Sequence, residues 1–397
     1  MRQYDYAIIG GGIVGLSVAW TILERQPRAR VVVMEKETDW CQHQTGRNSG
    51  VIHSGIYYRP GSFKARLCLE GNRRLREFCD RHGIHHEVCG KVIAATTKSE
   101  LPLLHSLYQR GIENGLSVKR MNGLEIKELE PHVNCLAGLH VPATGIVNYT
   151  EVCRKLVELI AGRGGNLLLN TEVLAHHANG VSGVLETTQG EFAAGWTISC
   201  SGLQSDRMVH LAGSVSKSRI IPFRGEYYEL KPDRRQLVRN LIYPVPDPQF
   251  PFLGAHFTRM IDGGVHAGPN AVLSLKREGY HRTAFNFRDF METMLYPGFW
   301  RMALNHAKTG FTEMHRSFSK KAFVRSLQKL VPEICENDLI PCAAGVRAQA
   351  VRPDGGFVDD FLMVRGHRIL HVCNAPSPAA TASLAIGEWI VKQVPEY

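Results

Sequence analysis

The sequence contains no Cys-x-x-Cys pair, no Cys/His cluster at zinc spacing, no internal repeat, no low-complexity tract and no apolar run near the roughly 20 residues that cross a bilayer. Each absence removes a class of protein. The ten cysteines are scattered, so neither a disulfide framework nor a metal site is indicated, and most should be reduced and buried as small hydrophobes. Only Met1-Arg2-Gln3 precede the first apolar run, which leaves no room for a leader peptide and points to a cytoplasmic location. The formal net charge of +10 suits an acidic substrate, an anionic membrane surface or nucleic acid, or is simply a solvated basic face. No nucleic-acid-binding motif accompanies it, so no nucleic-acid partner is expected.

What is present begins with the stretch from Tyr4 to Glu35. Tyr-Asp-Tyr-Ala-Ile-Ile has the pattern of a buried strand and runs into Gly10-Gly11-Gly12-Ile13-Val14-Gly15, the G-x-G-x-x-G spacing. An apolar helix over residues 16–23 and a second strand, Val31-Val32-Val33, follow, and the unit ends in Glu35. Gly10 permits the tight turn, Gly12 lets the backbone approach a pyrophosphate, and Gly15 lets the helix lie close to the strand. The helix N-terminus offers free N–H groups and a positive dipole end to the anion. Glu35 can accept hydrogen bonds from ribose hydroxyls and would repel a 2′-phosphate. Dinucleotide binding follows, and NAD and FAD satisfy this unit equally.

At 397 residues with a hydrophobic fraction of 44%, the chain can hold two cores. The glycine- and hydroxyl-rich stretch 40–61 is too long for a mere turn, and long loops in compact domains are commonly functional. Periodicity predicts helices over 63–82, 100–114 and 151–162 and strands over 88–96 and 136–147, the latter broken by Pro142 and Gly145. The arginines of the first helix (Arg66, Arg73, Arg74, Arg76, Arg81) read as a solvated face. Residues 166–170, after Gly164-Gly165, have the form of a parallel strand reached through a crossover helix. A hairpin over 181–190 leads to a strand from Trp196 that closes on Ser201-Gly202, with a helix starting near Ser205, a second turn aimed at a ligand. Residues 219–268 are β-rich with short turns, including a strand over 252–257, which fits an antiparallel second domain. Helices over 289–307 and 319–330 come next. The first carries Phe299, Trp300 and Met302 beside Arg301 and Lys308; packing on the protein's own core is the more economical reading, and lying on an anionic membrane is the other. The strand at 369–373 and the small-residue helix over 379–391 return to the first domain and place another helix N-terminus near the cofactor.

Several long strings are more specific than any one motif: His43-Gln-Thr-Gly-Arg-Asn-Ser-Gly-Val-Ile-His-Ser-Gly-Ile-Tyr-Tyr58, Pro222-Phe-Arg-Gly225, Ile242-Tyr-Pro-Val-Pro-Asp247, Phe250-Pro-Phe-Leu-Gly254, Gly268-Pro-Asn-Ala-Val272, Lys276-Arg-Glu-Gly-Tyr280, Gly345-Val-Arg-Ala-Gln349 and Asn374-Ala-Pro-Ser-Pro-Ala-Ala-Thr381. On these strings the chain resembles the FAD-dependent D-amino-acid-oxidase/glycerol-3-phosphate-dehydrogenase superfamily, and within it the L-2-hydroxyglutarate dehydrogenase/oxidase family. Its departures are small: Arg47 where relatives often carry His, and Ala255 where Val is common.

The resemblance implies an α/β (α+β overall) fold. A discontinuous Rossmann-like FAD-binding domain is expected from residues 1–84, 148–218 and 338–397, with a D-amino-acid-oxidase-like, largely antiparallel substrate domain from 85–147 and 219–337. It implies oxidation of L-2-hydroxyglutarate to 2-oxoglutarate on non-covalent FAD, by proton abstraction and hydride transfer to flavin. Electrons would pass to a quinone or to oxygen, and the protein could sit peripherally on the cytoplasmic face of the inner membrane. A neutral imidazole suits the base: His53 is the first candidate and His256 the second, each against the reading of a hydrogen-bonded structural histidine. The dicarboxylate needs cations, for which Arg224 and Arg347 lead, with Tyr57, Tyr58 and Lys276 behind them; Arg347 suits the flavin equally. Cofactor contacts are expected at Gly10, Gly12, Gly15, Glu35, Asn48, Ser49, Val173, Gly202, Arg347, Asn374, Ser377 and Ala379, and no metal. A flavoenzyme acting on another 2-hydroxy acid or an amino acid, a tRNA-modifying flavoprotein and a non-enzymatic flavin-binding module are the rival readings.

Overall fold

A computed structural model of the chain describes residues 2–178, 180–247 and 253–396. The opening unit folds as its pattern requires, with strand Arg2–Ile9, helix Ile13–Arg25 and strand Val31–Met34. Strand Arg2–Ile9 pairs in parallel with Val31–Met34 on one side and Gly190–Ser199 on the other. Asn166–Leu168 extends the sheet in parallel beyond Val31–Met34, and Ile369–Asn374 joins the far end of Gly190–Ser199. One sheet is thus assembled from distant parts of the chain. On one face Tyr6 and Ile8 pack under helices Ile13–Arg25, Phe63–His82, Tyr149–Gly162 and Ser383–Val391. Ala7 and Ile9 face the other way, under strands Val173–Ala178 and Gly183–Thr187 and helix Ser205–Leu211. Coverage on both faces is why these strands are continuously apolar, each fully buried Ile or Leu contributing about 1.5–3 kcal/mol.

The second large sheet runs in the order Leu339–Pro341, Tyr228–Leu230, Val265–Gly268, His256–Arg259, Leu241–Pro244, Lys91–Ala95, Ala137–Val141, Lys119–Asn122. All its pairs are antiparallel except Leu241–Pro244 with Lys91–Ala95. A smaller sheet of Val272–Leu273, Arg219–Gly225 and Gly345–Val351 stands beside it. Both Leu339–Pro341 and Gly345–Val351, which the expected division gives to the dinucleotide domain, therefore pair with substrate-side strands.

Three expectations need adjusting. The single helix over 289–307 is two, Phe287–Met294 and Pro297–Asn305, because Pro297 has no N–H to donate and fits the first helical position. A further helix, Ala307–Phe318, follows directly. The C-terminal helix begins at Ser383, since residues 376–382 form turns in which Ala379 and Ala382 donate to the carbonyls of Pro376 and Pro378. The strand expected over 252–257 is His256–Arg259; Phe252, with the first residues of the Phe250-to-Gly254 string, lies outside the described residues.

Candidate active site

Gly10 has φ +104° and a Cβ there would meet the Cys200 carbonyl oxygen at 2.6 Å; a Cβ on Gly15 would meet the Gly10 carbonyl oxygen at 2.1 Å. Neither position admits a side chain. At Gly12 a Cβ would meet Thr45 Oγ1 at 3.3 Å, a closer approach than side chains usually make. Helix Ile13–Arg25 starts with no acidic residue in its first turn; its N-cap, Gly12, carries no side chain, and Ile13 N donates to Thr45 Oγ1 at 3.1 Å, while the positive end of the helix suits an anion. Glu35 is buried, its Oε2 accepting from Gly11 N at 2.7 Å and its Oε1 from Glu37 N at 3.0 Å. The carboxylate ties the turn to the second strand and keeps lone pairs for ribose hydroxyls. Thr171 N donates to the Glu35 carbonyl at 2.8 Å, which brings the segment leading to the buried Val173 alongside. These residues fit the adenylate end of FAD.

Asn48 shapes the next loop with its own side chain: Nδ2 donates to the Thr45 carbonyl at 2.6 Å and Oδ1 accepts from Gly50 N at 2.8 Å. Ser49 lies half-buried in the same loop. Gln44 reaches from this loop to strand Gly345–Val351, accepting from Ala348 N at 3.2 Å, and its amide nitrogen would stand 3.1 Å from a Cβ on Gly202. Asn374 is buried, with Nδ2 donating to the carbonyls of Val358 and Asp360 at 2.9 Å each. Ser377 is exposed and hydrogen-bonded to Tyr58, and Ala379 follows it in the turn.

The loop then delivers His53. Its backbone N donates to Thr381 Oγ1 at 3.0 Å and its carbonyl accepts from Asn72 Nδ2 at 3.0 Å. The buried Thr381 hydroxyl also meets Tyr149 OH at 2.9 Å. The backbone is thus held on both sides, while the imidazole has no hydrogen bond to any described residue. Burial pushes His53 down to about 3, and the charges of Lys91, His256 and Lys64 act the same way. His256 is buried and stacked on Tyr243, with ring centroids 3.9 Å apart. Its Nδ1 donates to the Gly254 carbonyl at 2.8 Å, so Nε2 carries the lone pair. Burial pushes it down to about 3, opposed by the Gly254 bond and assisted by the charges of Arg347 and Lys91. Both rings are neutral near pH 7.

Lys91 opens strand Lys91–Ala95 and is 1% exposed. Its ammonium lies 4.3 Å from the Tyr57 ring centroid and 4.7 Å from that of Tyr243. Burial pushes it down to about 7. Arg347 is hydrogen-bonded to Tyr227, and its charge reaches Tyr243 and His256. His53, Tyr57, Lys91, His256 and Arg347 therefore converge in one basic, aromatic pocket. The described groups acting on its two histidines and its lysine include no carboxylate.

A family model for FAD dependent oxidoreductases matches residues 5–393. The chain belongs to this family. The L-2-hydroxyglutarate dehydrogenase of Indibacter alkaliphilus is 49% identical, covering 98% of this chain and 100% of that protein. The enzyme of that name from Escherichia coli K12 is 48% identical over 99% of this chain and 93% of its own length, and the human mitochondrial one 43% identical over 99% and 89%. Among solved structures, the dithionite-reduced, FAD-bound L-α-glycerophosphate oxidase of Mycoplasma pneumoniae matches with a TM-score of 0.81 at 21% identity, covering 99% of this chain and 94% of that one. Glycine oxidase from Geobacillus kaustophilus matches with a TM-score of 0.75 at 20% identity over 100% and 96%. These two show that the fold is that of the D-amino-acid-oxidase type.

In this FAD dependent oxidoreductase the pleat separates the two arginines expected together. Across the antiparallel pair Phe223 stands opposite Arg347 and Arg224 opposite Val346, so Arg224 projects from the other face of the sheet. There it is buried against Glu226, at 3.0 Å, and the His281 carbonyl, at 3.1 Å, with Asn270 and Ser317 also on Glu226. Lys276 is likewise elsewhere. Its string packs on the dinucleotide side, where Glu278 meets Lys36 and Gln204, Tyr280 meets His43, and buried Arg277 pairs with Asp206. Glu37, His43 and Glu278 bring three potential ligand atoms within 4.8 Å of one another, but Lys36 pairs with both carboxylates, at 2.7 and 2.9 Å, and supplies their counter-charge. Sequence reasoning missed Lys91, Tyr227 and Tyr243 and gave Thr381 no role. A lysine opening an otherwise apolar run, Lys91-Val-Ile-Ala-Ala95, was the available signal.

Proposed function

We propose that this protein is an L-2-hydroxyglutarate dehydrogenase, oxidising the α-carbinol of its substrate to give 2-oxoglutarate. The observation that carries this reading is 43–49% identity to enzymes of that name over nearly the whole chain. The pocket supports it, because a dicarboxylate needs cations without competing carboxylates. When bound, FAD accepts the two electrons and the hydrogen of the substrate's α-carbon. Gly10, Gly12, Gly15 and Glu35 hold the diphosphate and ribose, helped by the turns carrying Val173, Gly202 and Asn374; Asn48 and Ser49 shape the loop above them. Ser377 and Ala379 contribute through the C-terminal turn.

His53 takes the hydroxyl proton. Its ring is neutral and free to bond a ligand, and a substrate anion beside it raises its basicity toward the working pH. His256, with its lone pair at Nε2, is the second candidate. Arg347 binds a carboxylate through its guanidinium fork, and Tyr57, whose hydroxyl is buried with no partner among the described residues, hydrogen-bonds the substrate. The last boundary between the two domains falls after Val351, beyond the substrate-side pairings, and the others stand near residues 84, 147 and 218. Electrons leave for a quinone at an anionic membrane surface, against which helices Phe287–Met294, Pro297–Asn305 and Ala307–Phe318 lie.

Anaerobic reduction of the holoenzyme tests the substrate. L-2-hydroxyglutarate should bleach the flavin, and D-2-hydroxyglutarate, L-lactate, L-glutamate and glycerol 3-phosphate should not; an unreduced flavin with the first would sink the assignment. His53→Ala should slow reduction by about 100-fold or more. If that variant keeps the wild-type rate while His256→Ala is slow, the base is His256.

A further inference from the structure

We infer that Lys91 is the specificity-determining residue of the pocket, its ammonium binding the substrate carboxylate distal to the reacting carbon while Arg347 binds the carboxylate beside that carbon. The inference rests on the dicarboxylate reading above and names the group that distinguishes a diacid from a monoacid.

Lys91 is buried at the start of a strand with apolar neighbours, and among the described residues it has no salt bridge. The faces of Tyr57 and Tyr243 stabilise it, by about 0.5–2 kcal/mol for such contacts, whereas desolvating an ammonium costs several. An anion from outside the chain would offset the difference. Placement decides which anion. Arg347 lies on strand Gly345–Val351, which touches the dinucleotide side: Ala348 N donates to Gln44 Oε1 at 3.2 Å, and a Cβ on Gly345 would meet the Arg47 carbonyl oxygen at 2.3 Å. Lys91 lies within the substrate-side sheet, on a strand flanked by Leu241–Pro244 and Ala137–Val141. Arg347 therefore rises from the strand bonded to the Gln44 loop and Lys91 from the substrate-side sheet, so the two cations approach a ligand from different elements. The charge of Lys91 reaches both His53 and His256, so a diacid held between the two cations places its carbinol by the imidazoles.

The titratable groups facing Lys91 are distinguishable from it. Burial pushes Cys68 up to about 12 and raises the phenols of Tyr57, Tyr58 and Tyr243, while the two histidines lie near 3. Burial lowers Lys64 from the usual lysine value, opposed by the charges of Asp359 and Asp360. Lys91 is the group here that burial pushes down to about 7.

The test uses oxidised holoenzyme titrated with glutarate, which has both carboxylates and no carbinol, and with butanoate, followed by flavin absorbance. Lys91→Met, which keeps the stem, should weaken glutarate by about 30-fold or more and butanoate by less than about threefold. Wild-type glutarate affinity should fall by about tenfold per pH unit above about 7, and this dependence should vanish in the variant. Equal losses for both acids, no loss for either, or no saturable response of the wild type to glutarate would overturn the inference. So would a changed flavin spectrum and sulfite affinity with unchanged acid selectivity, which would place Lys91 on the flavin. If the variant does not fold, the wild-type titration still decides: constant glutarate affinity between about pH 6 and 9 overturns it. Binding of glutarate needs no turnover, so a wrong substrate assignment shows separately, as wild-type flavin that L-2-hydroxyglutarate fails to reduce.

Discussion

His53 and His256 are neutral in the folded protein because burial removes water from their rings and the nearby cations repel a further charge. An imidazole in the unfolded chain charges near 6.5; these two charge only near 3. As the pH falls below 6.5 the unfolded chain binds protons that the folded one does not. The stability tied to these rings is therefore complete above that value and lost progressively toward about 3, on the order of 1 kcal/mol per ring per pH unit. The urea midpoint should drop between about pH 7.5 and 5, and drop less in His256→Gln; identical pH slopes would remove His256 as a source. At this scale Gly15 and Glu35 were legible in the sequence because their partners lie in or beside the same short unit, and Gly10 because the G-x-G-x-x-G spacing marks it, although the carbonyl it approaches belongs to the distant Cys200. Arg224 and Arg347 were not distinguishable, since each is an arginine in a glycine-containing string and only the strand pairing turns one to the pocket and the other to Glu226.

Among the elements, the three helices from Phe287 to Phe318 pack on the core by some side chains and leave others uncovered. Phe299 and Met302 pack on Ile221 and Val351, whereas Leu304, Phe311 and Phe318 are 76%, 76% and 79% exposed and Trp300 is 52% exposed. Arg301, Lys308 and Lys321 are exposed among them, and the acids of these helices, Asp289, Glu292 and Glu313, are each paired with an arginine. Apolar side chains ringed by cations match an anionic lipid surface. If the protein binds such a surface, it should sediment with anionic vesicles more than with neutral ones, and Leu304→Asp/Phe311→Asp should cut that binding by about tenfold or more; equal sedimentation with both vesicle types, or an unchanged variant, would remove these helices from that role. No helix of the described residues is long and apolar enough to cross a membrane. Helix periodicity was readable here, but Pro297 divides what reads as one helix, and the direction of each apolar stripe depends on what the neighbouring strands leave uncovered.

At the scale of the whole molecule, the two sheets meet along the cofactor loops. Arg277–Asp206, Glu278–Lys36 and Tyr280–His43 join segments far apart in sequence, and FAD is expected to add to these ties. Removing it should lower the Tm, and restoring it at about 100 times its Kd should return about 2.7 kcal/mol; a Tm indifferent to FAD would contradict a site built into the fold. The sequence by itself determined the dinucleotide unit, the crossover helices and the antiparallel middle, since hydrogen-bonded turns and the two periodicities are set by residues near one another in the chain. The tertiary structure alone decided the pocket. Register placed Arg347 and not Arg224 in it, the stacking of Tyr57 and Tyr243 around a buried ammonium brought in Lys91, and the desolvation that keeps His53 and His256 neutral is a property of the packed assembly, which no stretch of sequence carries in isolation.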